Sequence, residues 1–354
     1  MFGKKRSNRT IGILNYIRQA YVERDFIYIF AFYPHMIRLI TISIAFMLMT
    51  VGSLSAQIRN YNSSFGFRTE NDAYLGFGSD RYYTNGLFIN YSHAIRQADT
   101  SGKVIKKVWE AEAGQSIYNA QTGAVPDISY VDRPFAGFLY GSAKINWFKK
   151  DGQQISAGLT VGTIGPNSLA QDAQELLHDV VGFYEINGWQ YQVKNELGVN
   201  AQFEYKRLLA RTGNSTDFTF SSRASLGTNF TGAAAGVLFR AGDINELYQS
   251  ASAGSRISNQ ENSAVPSQEF FFYTQPMLQI VGYDATIQGG VFRDDKGAVT
   301  YKPKRLVYSQ EVGVRYAKDR WMLSFSAIFK TKELKTQVKS HQYGSASLFY
   351  SFGR

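Results

Sequence analysis

The sequence predicts an all-β protein, a transmembrane antiparallel up-and-down β-barrel of about 12 strands with a short helix in one extracellular loop. Three observations carry this. Most of the chain alternates apolar and polar residues with a period of two, the pattern of strands with two different faces. A short apolar leader with an export-type cleavage pattern precedes that region. The last strand, "GSASLFYSF", puts Leu348, Tyr350 and Phe352 on one face just before the C-terminus, as terminal strands of outer-membrane barrels do. The composition agrees: 354 residues hold 26 Phe, 23 Tyr and 32 Gly with no Cys, and mean hydropathy is −0.25.

The leader comes first. "MIRLITISIAFMLMTVGSLSAQ" begins at Met36, carries one Arg, runs apolar from Leu39 to Val51 and ends in small residues at Ala56. Residues 36–56 therefore read as a secretory signal peptide. A retained anchor is the alternative, and the run is short for a bilayer-spanning helix. Residues 1–35 fit no targeting pattern and are read as a non-native extension upstream of a start at Met36. The mature domain is then 57–354. The first 56 residues carry seven Lys+Arg and two Asp+Glu, so the remainder has 31 and 26 and its formal charge falls from +10 to +5. That removes most of the case for a nucleic-acid partner. An exported chain without cysteine suits an envelope compartment where disulfides are not needed.

The strands follow in order. "SSFGFRT", "GLFINYSHAIR", "FAGFLYGSAKINWF", "QQISAGLTVGT" and "WQYQVKNELGVNAQFEYKRLL" occupy the first half. "DFTFSSRASLGTNF", "AAAGVLFRAG", "EFFFYTQPMLQIVG", "LVYSQEVGVRYA", "RWMLSFSAIFKT" and "QYGSASLFYSF" occupy the second. Turns such as "KKDGQQ" and "RTGN" separate them. A soluble sandwich competes with a barrel, but these strands are long enough to cross a bilayer, and one face is apolar while the other carries Ser, Gly, Asn and Gln. The count is twelve or thirteen, and even parity selects twelve, with the uncertain strand between 243 and 305. The polar insertion "NELYQSASAGSRISNQENSAVPSQ" sits in that region on a side that sequence does not fix.

Parity then assigns loops. With a periplasmic N-terminus, the loops after odd strands face outward: residues 69–84, 119–134 and 164–190. The first contains "TENDAYLGFGSDRYYTNG", dense in polar groups around a glycine-rich turn. Along strand one, Phe65 and Phe67 share a parity opposite to Ser64, Gly66 and Arg68, which puts Asn71 on the lipid side and Asp72 on the lumen side. The third loop, "IGPNSLAQDAQELLHDVVG", predicts a helix with a capping box at Ser168 and Gln171 and a stop at Gly182. Leu169, Ala173, Leu176 and Val180 form its apolar stripe, and Gln171, Gln174 and His178 share another face. Gln174 lies one turn before His178, in reach of a hydrogen bond. Singly, each of these residues has a plainer reading: His178 as a surface histidine, Asp72, Asn71 and Thr84 as turn chemistry, Ser79 and Ser168 as turn and cap. Their convergence on one end of one barrel is what suggests a site.

"TEND", "SDRYYTNGLFINYSH", "GQSIYNAQT", "DRPFAGFLY", "GTIGPNSLAQDAQELLH" and "GWQYQVKNELG" occur in order over residues 69–198. In these motifs the chain resembles the lipid A 3'-O-deacylase family of outer-membrane barrels; beyond residue 200 the likeness is architectural. The resemblance implies hydrolysis of an ester-linked acyloxyacyl chain of lipid A in the outer leaflet, with calcium, at a site between barrel wall and loop helix. It matches Asn71 and Asp72 to the family's Asn-Asp pair, Thr84 to its strand-two threonine, and Gln174 and His178 to its helix residues. The family's Glu after the histidine is displaced by one position here, at Glu185, and its basic pair in the second loop is replaced by Arg133 alone.

Chemistry supports the same roles. Ester hydrolysis needs a nucleophile and a site for the oxyanion. A neutral His178 can take a proton from water, with Gln174 orienting it. Calcium held by Asp72 and the Asn71 amide oxygen can polarise the carbonyl. The expected partners are lipid A or lipopolysaccharide and membrane lipid, with no nucleic acid. The expected place is the bacterial outer membrane with the site facing outward. The alternatives are a glycerophospholipid esterase and a non-enzymatic barrel, either a porin or a surface-binding protein.

Overall fold

The computed structural model describes residues 60–76, 80–97, 103–259, 266 and 268–353. The extension 1–35, the signal peptide 36–56 and Ser79 lie outside the described residues. Among those described, twelve antiparallel strands close into one barrel. They are β1 (Ser63–Asn71), β2 (Tyr83–Ile95), β3 (Val104–Tyr118), β4 (Ala136–Lys149), β5 (Gln153–Ile164) and β6 (Glu196–Thr212). The second half adds β7 (Thr216–Gly227), β8 (Phe230–Asp243), β9 (Gln268–Asp284), β10 (Leu306–Lys318), β11 (Trp321–Lys330) and β12 (His341–Phe352). Each strand pairs with its sequence neighbours, and β1 closes on β12 in register from Ser63↔Phe352 to Asn71↔Gly344. Closure leaves no free edge.

The two faces of the wall see different surroundings. Phe67, Leu87, Leu159, Leu197, Phe272 and Ile280 are exposed on the outside, as is Leu226 at 72 %. An apolar belt of this extent is stable where lipid, not water, surrounds it. Among the described residues no helix is long and apolar enough to cross a membrane. The inner face carries the charges: Lys144 bridges Glu110 at 3.2 Å and Glu204 at 3.4 Å, and Arg68 meets Glu70 at 2.8 Å. Aromatic pairs such as Tyr91–Trp109 and Trp321–Tyr350 gather at the end that holds both termini.

The sequence-predicted strands differ from these in two places. The quoted stretches omit β3. The segment beginning at Trp189 opens with a 3-10 turn, Trp189–Tyr191, and the strand proper starts at Glu196. The polar insertion after β8 belongs to the end with the termini and folds back into the barrel. Lys106 donates to the Ser255 carbonyl at 2.9 Å, Arg315 to the Ala251 carbonyl at 2.8 Å, and Asn259 to the Ala94 carbonyl at 3.1 Å. Ala253 and Ile257 pack on Ala94, Val108 and Phe148. The described part of the insertion thus reaches β2, β3 and β10 and lies across that end of the lumen.

Arg240 anchors it. This fully buried guanidinium holds Asp217 through Nε at 2.9 Å, the Asn245 carbonyl at 3.0 Å and the Ser250 hydroxyl at 2.6 Å, and it lies 3.4 Å from Glu269. Removing one partner of such a network leaves buried charge uncompensated. Arg240→Ala is expected to cost about 3–5 kcal/mol against denaturant in lipid vesicles and to raise the conductance of the barrel in planar bilayers. An Arg240→Ala barrel of unchanged conductance and stability would show that the ion network does not hold the insertion.

Candidate active site

β1 ends at Asn71, whose side-chain oxygen accepts the Ala73 N–H at 2.7 Å and so caps a 3-10 turn, Asp72–Leu75. Its amide nitrogen donates to the Asn85 side-chain oxygen. Asn71 keeps the parity of Phe65 and Phe67, which face lipid. Asp72 has left the strand, and its buried carboxylate turns to the Arg81 N–H at 3.0 Å and the Thr84 hydroxyl at 3.5 Å, not to the lumen as strand alternation predicts. The chain returns through Asp80 at φ 42° and Tyr82 at φ 57°, left-handed conformations that non-glycine residues hold at a cost. Pairing of Tyr82 with Asn119 and Ala120 fixes that turn. A bulge between Tyr83 and Asn85 then re-aims Thr84, which is fully buried and donates to Asp80 at 3.0 Å.

The helix, α1 (Ala170–Val181), comes from the loop between β5 and β6. The predicted capping box does not form. Leu169, at φ 55°, is the N-cap without a side-chain hydrogen bond, and the Ser168 hydroxyl instead donates to the Gly165 carbonyl at 2.6 Å in a preceding 3-10 turn. Gln171 donates to Glu175 at 2.8 Å, away from His178. Gly182, at φ 71°, ends the helix as predicted. The faces of α1 are inverted relative to a helix in water. Ala170, Gln174 and His178 are buried, while Leu176 is 65 % and Val180 76 % exposed. The helix docks on the outward faces of β3 and β4, where Gly137 admits it: a Cβ there would lie 1.9 Å from the Ser168 hydroxyl and 2.3 Å from the Ala170 Cβ. The Gln115 amide reaches up to the Ser168 carbonyl at 2.6 Å.

Docking brings His178 to the first loop. Its Nδ1 lies 2.7 Å from the Tyr184 carbonyl, which only accepts, so Nδ1 carries a proton. Nε2 lies 3.3 Å from Asp80, and the Tyr184 hydroxyl donates to the other Asp80 oxygen at 2.5 Å. Burial alone pulls the imidazole pKa down, but the bonds to Asp80 and the Tyr184 carbonyl outweigh it and raise the group above its ordinary value. Burial pulls Asp80 up, and the His178 and Tyr184 bonds outweigh that and hold it below the usual carboxylate range. Asp72 has no such counterpart: burial and the neighbouring Asp80 charge, against the Arg81 N–H, push it to about 7.

The structure thus brings Asn71, Asp72, Thr84 and His178 together with Asp80 and Tyr184, which the sequence reading missed. Gln174 is on the right face but bonds neither His178 nor any other group; its amide is fully buried with both polar atoms unpartnered. Glu185 is exposed, and its neighbour Tyr184 occupies the position beside the histidine. Arg133 is fully buried, donates to Thr286 at 2.9 Å and the Pro134 carbonyl, and stacks 4.2 Å over Tyr118, so it is a structural clamp closed to an incoming phosphate. His93 and His341 bond Ser63 and the Tyr83 carbonyl and take no part. Among the described residues no group of three or more His, Cys, Asp or Glu is placed to hold a metal. Asp72, Asp80, the Thr84 hydroxyl and the orphaned Gln174 oxygen are all hard donors, and the buried Asp72 carboxylate lacks a cationic partner. That set fits a hard divalent cation such as calcium better than a thiolate- or imidazole-seeking one.

Fold and site together define a membrane-spanning barrel whose reactive groups sit on the outer wall at one rim, under a loop helix. The outer membrane protein LpxR family matches residues 40–352. The chain belongs to that family, the lipid A 3'-O-deacylase family that its motifs resemble. The structure is similar to LpxR from Salmonella typhimurium, with a TM-score of 0.66 and 20 % identity over 82 % of this chain and 100 % of that one. A weaker likeness is to the β domain of the Bordetella autotransporter BrkA, at a TM-score of 0.45 and 10 % identity over 83 % of this chain and 99 % of that one. No curated protein sequence matches the chain.

The close approach at Gly137 generates a test. Gly137→Leu is expected to cost about 1–3 kcal/mol of helix docking, raising the open fraction of α1 roughly ten-fold. Limited proteolysis between 165 and 182, on a barrel that still shows heat-modifiable migration, reads this. Unchanged protection would mean that α1 docks elsewhere.

Proposed function

We propose that the protein hydrolyses an acyl ester of lipid A, removing a 3'-linked acyloxyacyl chain at the outer face of the outer membrane. The observation that carries this reading is the His178–Asp80 pair, buried against the lipid-facing wall by a helix whose apolar side faces outward. Family membership and the motif resemblance supply the substrate class.

The chain's own groups account for the proton movements. The Tyr184 carbonyl holds the Nδ1 proton and Asp80 favours a proton on Nε2, so His178 acts as the base once Nε2 has lost that proton, as it would when a cation takes up the Asp80 charge. A water beside Nε2 gives its proton to the imidazole as its oxygen bonds the ester carbonyl carbon. When the tetrahedral species collapses, the bond to the sugar oxygen breaks and the imidazolium returns the proton to that oxygen. Asp80 stabilises the imidazolium in between, and the Tyr184 hydroxyl and Thr84 hold Asp80 in place. Asp72 and Asp80, with Thr84 and Gln174 as neutral donors, are the residues that would hold calcium, which would supply positive charge for the oxyanion. Asn71 serves that site indirectly, since its oxygen already caps the turn that presents Asp72. The porin alternative is disfavoured by the lumen, which charged pairs line and the insertion after β8 crosses.

Mass spectrometry of lipid A from cells with and without the protein tests substrate and reaction together. Loss of one 3'-linked acyloxyacyl group is the expected result. His178→Ala is expected to lower the rate by about 10²–10⁴-fold with the barrel still folded. A mutant near wild-type activity would end the general-base role, and loss of a glycerophospholipid chain in place of the lipid A chain would select the phospholipid esterase.

Metal removal is a separate test. Chelation is expected to lower activity about 10²-fold or more, the scale of losing an oxyanion donor. Calcium should restore it, zinc should not, and Asp72→Asn should raise the calcium needed. Full activity in excess chelator would take calcium out of the mechanism.

A further inference from the structure

Below α1, on the outward face of the wall, the register aligns two adjacent rows of side chains. One row runs Ile89, Ala113, Gly141, Val161 across β2 to β5. The next runs Tyr91, Ala111, Ala143, Leu159. Each row is large, small, small, large. The result is a groove of about 570 Å³ with a floor on β3 and β4 and rails on β2 and β5. It lies on the strands that carry α1, with Gly141 four residues along β4 from Gly137, roughly 13 Å at strand rise.

Two further observations point to an occupant. A Cβ built at Gly141 meets nothing within 4 Å, whereas one at Gly137 collides with the helix. No packing in the fold therefore requires glycine at 141, and a glycine inside a strand weakens it. A bare strand position with open space above it is where another molecule approaches closely. Above the groove, on the side of α1 that meets the wall, the fully buried Gln174 amide has no partner for either polar atom. An ester at the head of the groove supplies the missing acceptor.

We propose that this groove receives the hydrocarbon chain of the ester that His178 attacks, making the β3–β4 floor the determinant of which acyl chain is removed. The inference rests on the ester-hydrolase reading. The occupant is hydrocarbon because the groove opens on the lipid-facing side and its lining is mainly apolar. The chain stays at bilayer depth along the wall while its carbonyl reaches the rim. Rails of Ile89 and Tyr91 on one side and Val161 and Leu159 on the other confine it to one path.

The test fills the groove. Gly141→Leu and Ala143→Phe add side chains into open space on the outside of the barrel. Wild type and variants are compared on butanoyl and hexadecanoyl esters of one alcohol. The ratio of long-chain to short-chain turnover is expected to fall roughly ten-fold or more, since a side chain standing in the groove clashes with the long chain and not with the short one, and such overpacking costs about 1–3 kcal/mol. A matched substitution at Leu278, on the lipid-facing side of β9, should leave the ratio at its wild-type value. An unchanged ratio in both filled variants, with heat-modifiable migration intact, overturns the proposal.

A second arm does not need turnover. Lipid A with a photoactivatable acyl chain, in phosphatidylethanolamine vesicles, is irradiated with the His178→Ala protein. Labels concentrated on β3 and β4 around Ala113 and Gly141, and lost in Gly141→Leu, are expected. Labels spread evenly around the barrel overturn the groove. If wild type cleaves neither ester, the hydrolase reading fails by itself, and the labelling still decides whether the groove takes the chain.

Discussion

The docking of α1 on the outer wall of β3 and β4 is the contact on which the site depends. It is an arrangement that water would not tolerate. The helix turns Gln174 and His178 inward and leaves Leu176 and Val180 outward. Exposed Asp172 and Asp179 share the outward side with Leu176 and Val180, a mixture that suits the boundary between acyl chains and headgroups, where the apolar residues incur little penalty and Gln174 and His178 are free to meet the wall. Gly137 sets the distance of approach, and the Gln115 bond to the Ser168 carbonyl satisfies a backbone group at the helix start. The strain at Asp80 and Tyr82 belongs to the same arrangement, since those left-handed residues present Asp80 to a histidine that only the docked helix delivers.

Enclosure decides the electrostatics. Asp72, Asp80, Thr84 and His178 are all nearly dry, so charge has to be balanced locally. His178 and Asp80 balance each other, and their shifts go in opposite directions. Asp72 is left over, which is why it rises to about 7 where Asp80 does not. One carboxylate in excess and the unpartnered Gln174 amide leave buried polar groups that the proposed cation and ester would satisfy.

Alternation made the barrel legible, because lipid outside and charges inside enforce a period of two over every strand. β3 escaped for a physical reason: its lipid face at Ala111 and Ala113 is small, and its inner face carries Lys106, Glu110 and Glu112, so the contrast of large apolar with small polar is missing. The groove floor and the overlooked strand are thus one feature. At the site, Asn71, Asp72, Thr84 and His178 lie together and Gln174 is buried on the same helix face as His178, but the individual bonds were not legible. Gln174 does not reach His178, and Ser168 spends its hydroxyl on Gly165 because Pro166 starts a 3-10 turn before the helix. Asp80 sits four residues before Thr84 in the quoted turn, where an aspartate normally reads as turn chemistry; only tertiary placement distinguishes it. Arg133 reads as an exposed loop cation, yet its stack on Tyr118 and its bond to Thr286 draw it into the interior.

The ion-lined lumen and the outward groove belong to one design. The barrel is lined with ion pairs and crossed at one end by the insertion after β8, and the surface it offers a lipid is the outer one. A lipid cleaved in a lumen or in water has to leave the bilayer, at a cost of about 0.8 kcal/mol for each methylene exposed. A lipid cleaved against the outer wall keeps its chains in hydrocarbon and moves only its ester to the rim. Under the proposed function, a base on a strand end inside the barrel, where His341 lies, would face away from such a lipid, whereas α1, outside the wall and with its polar side turned to it, offers His178 on the side the lipid reaches.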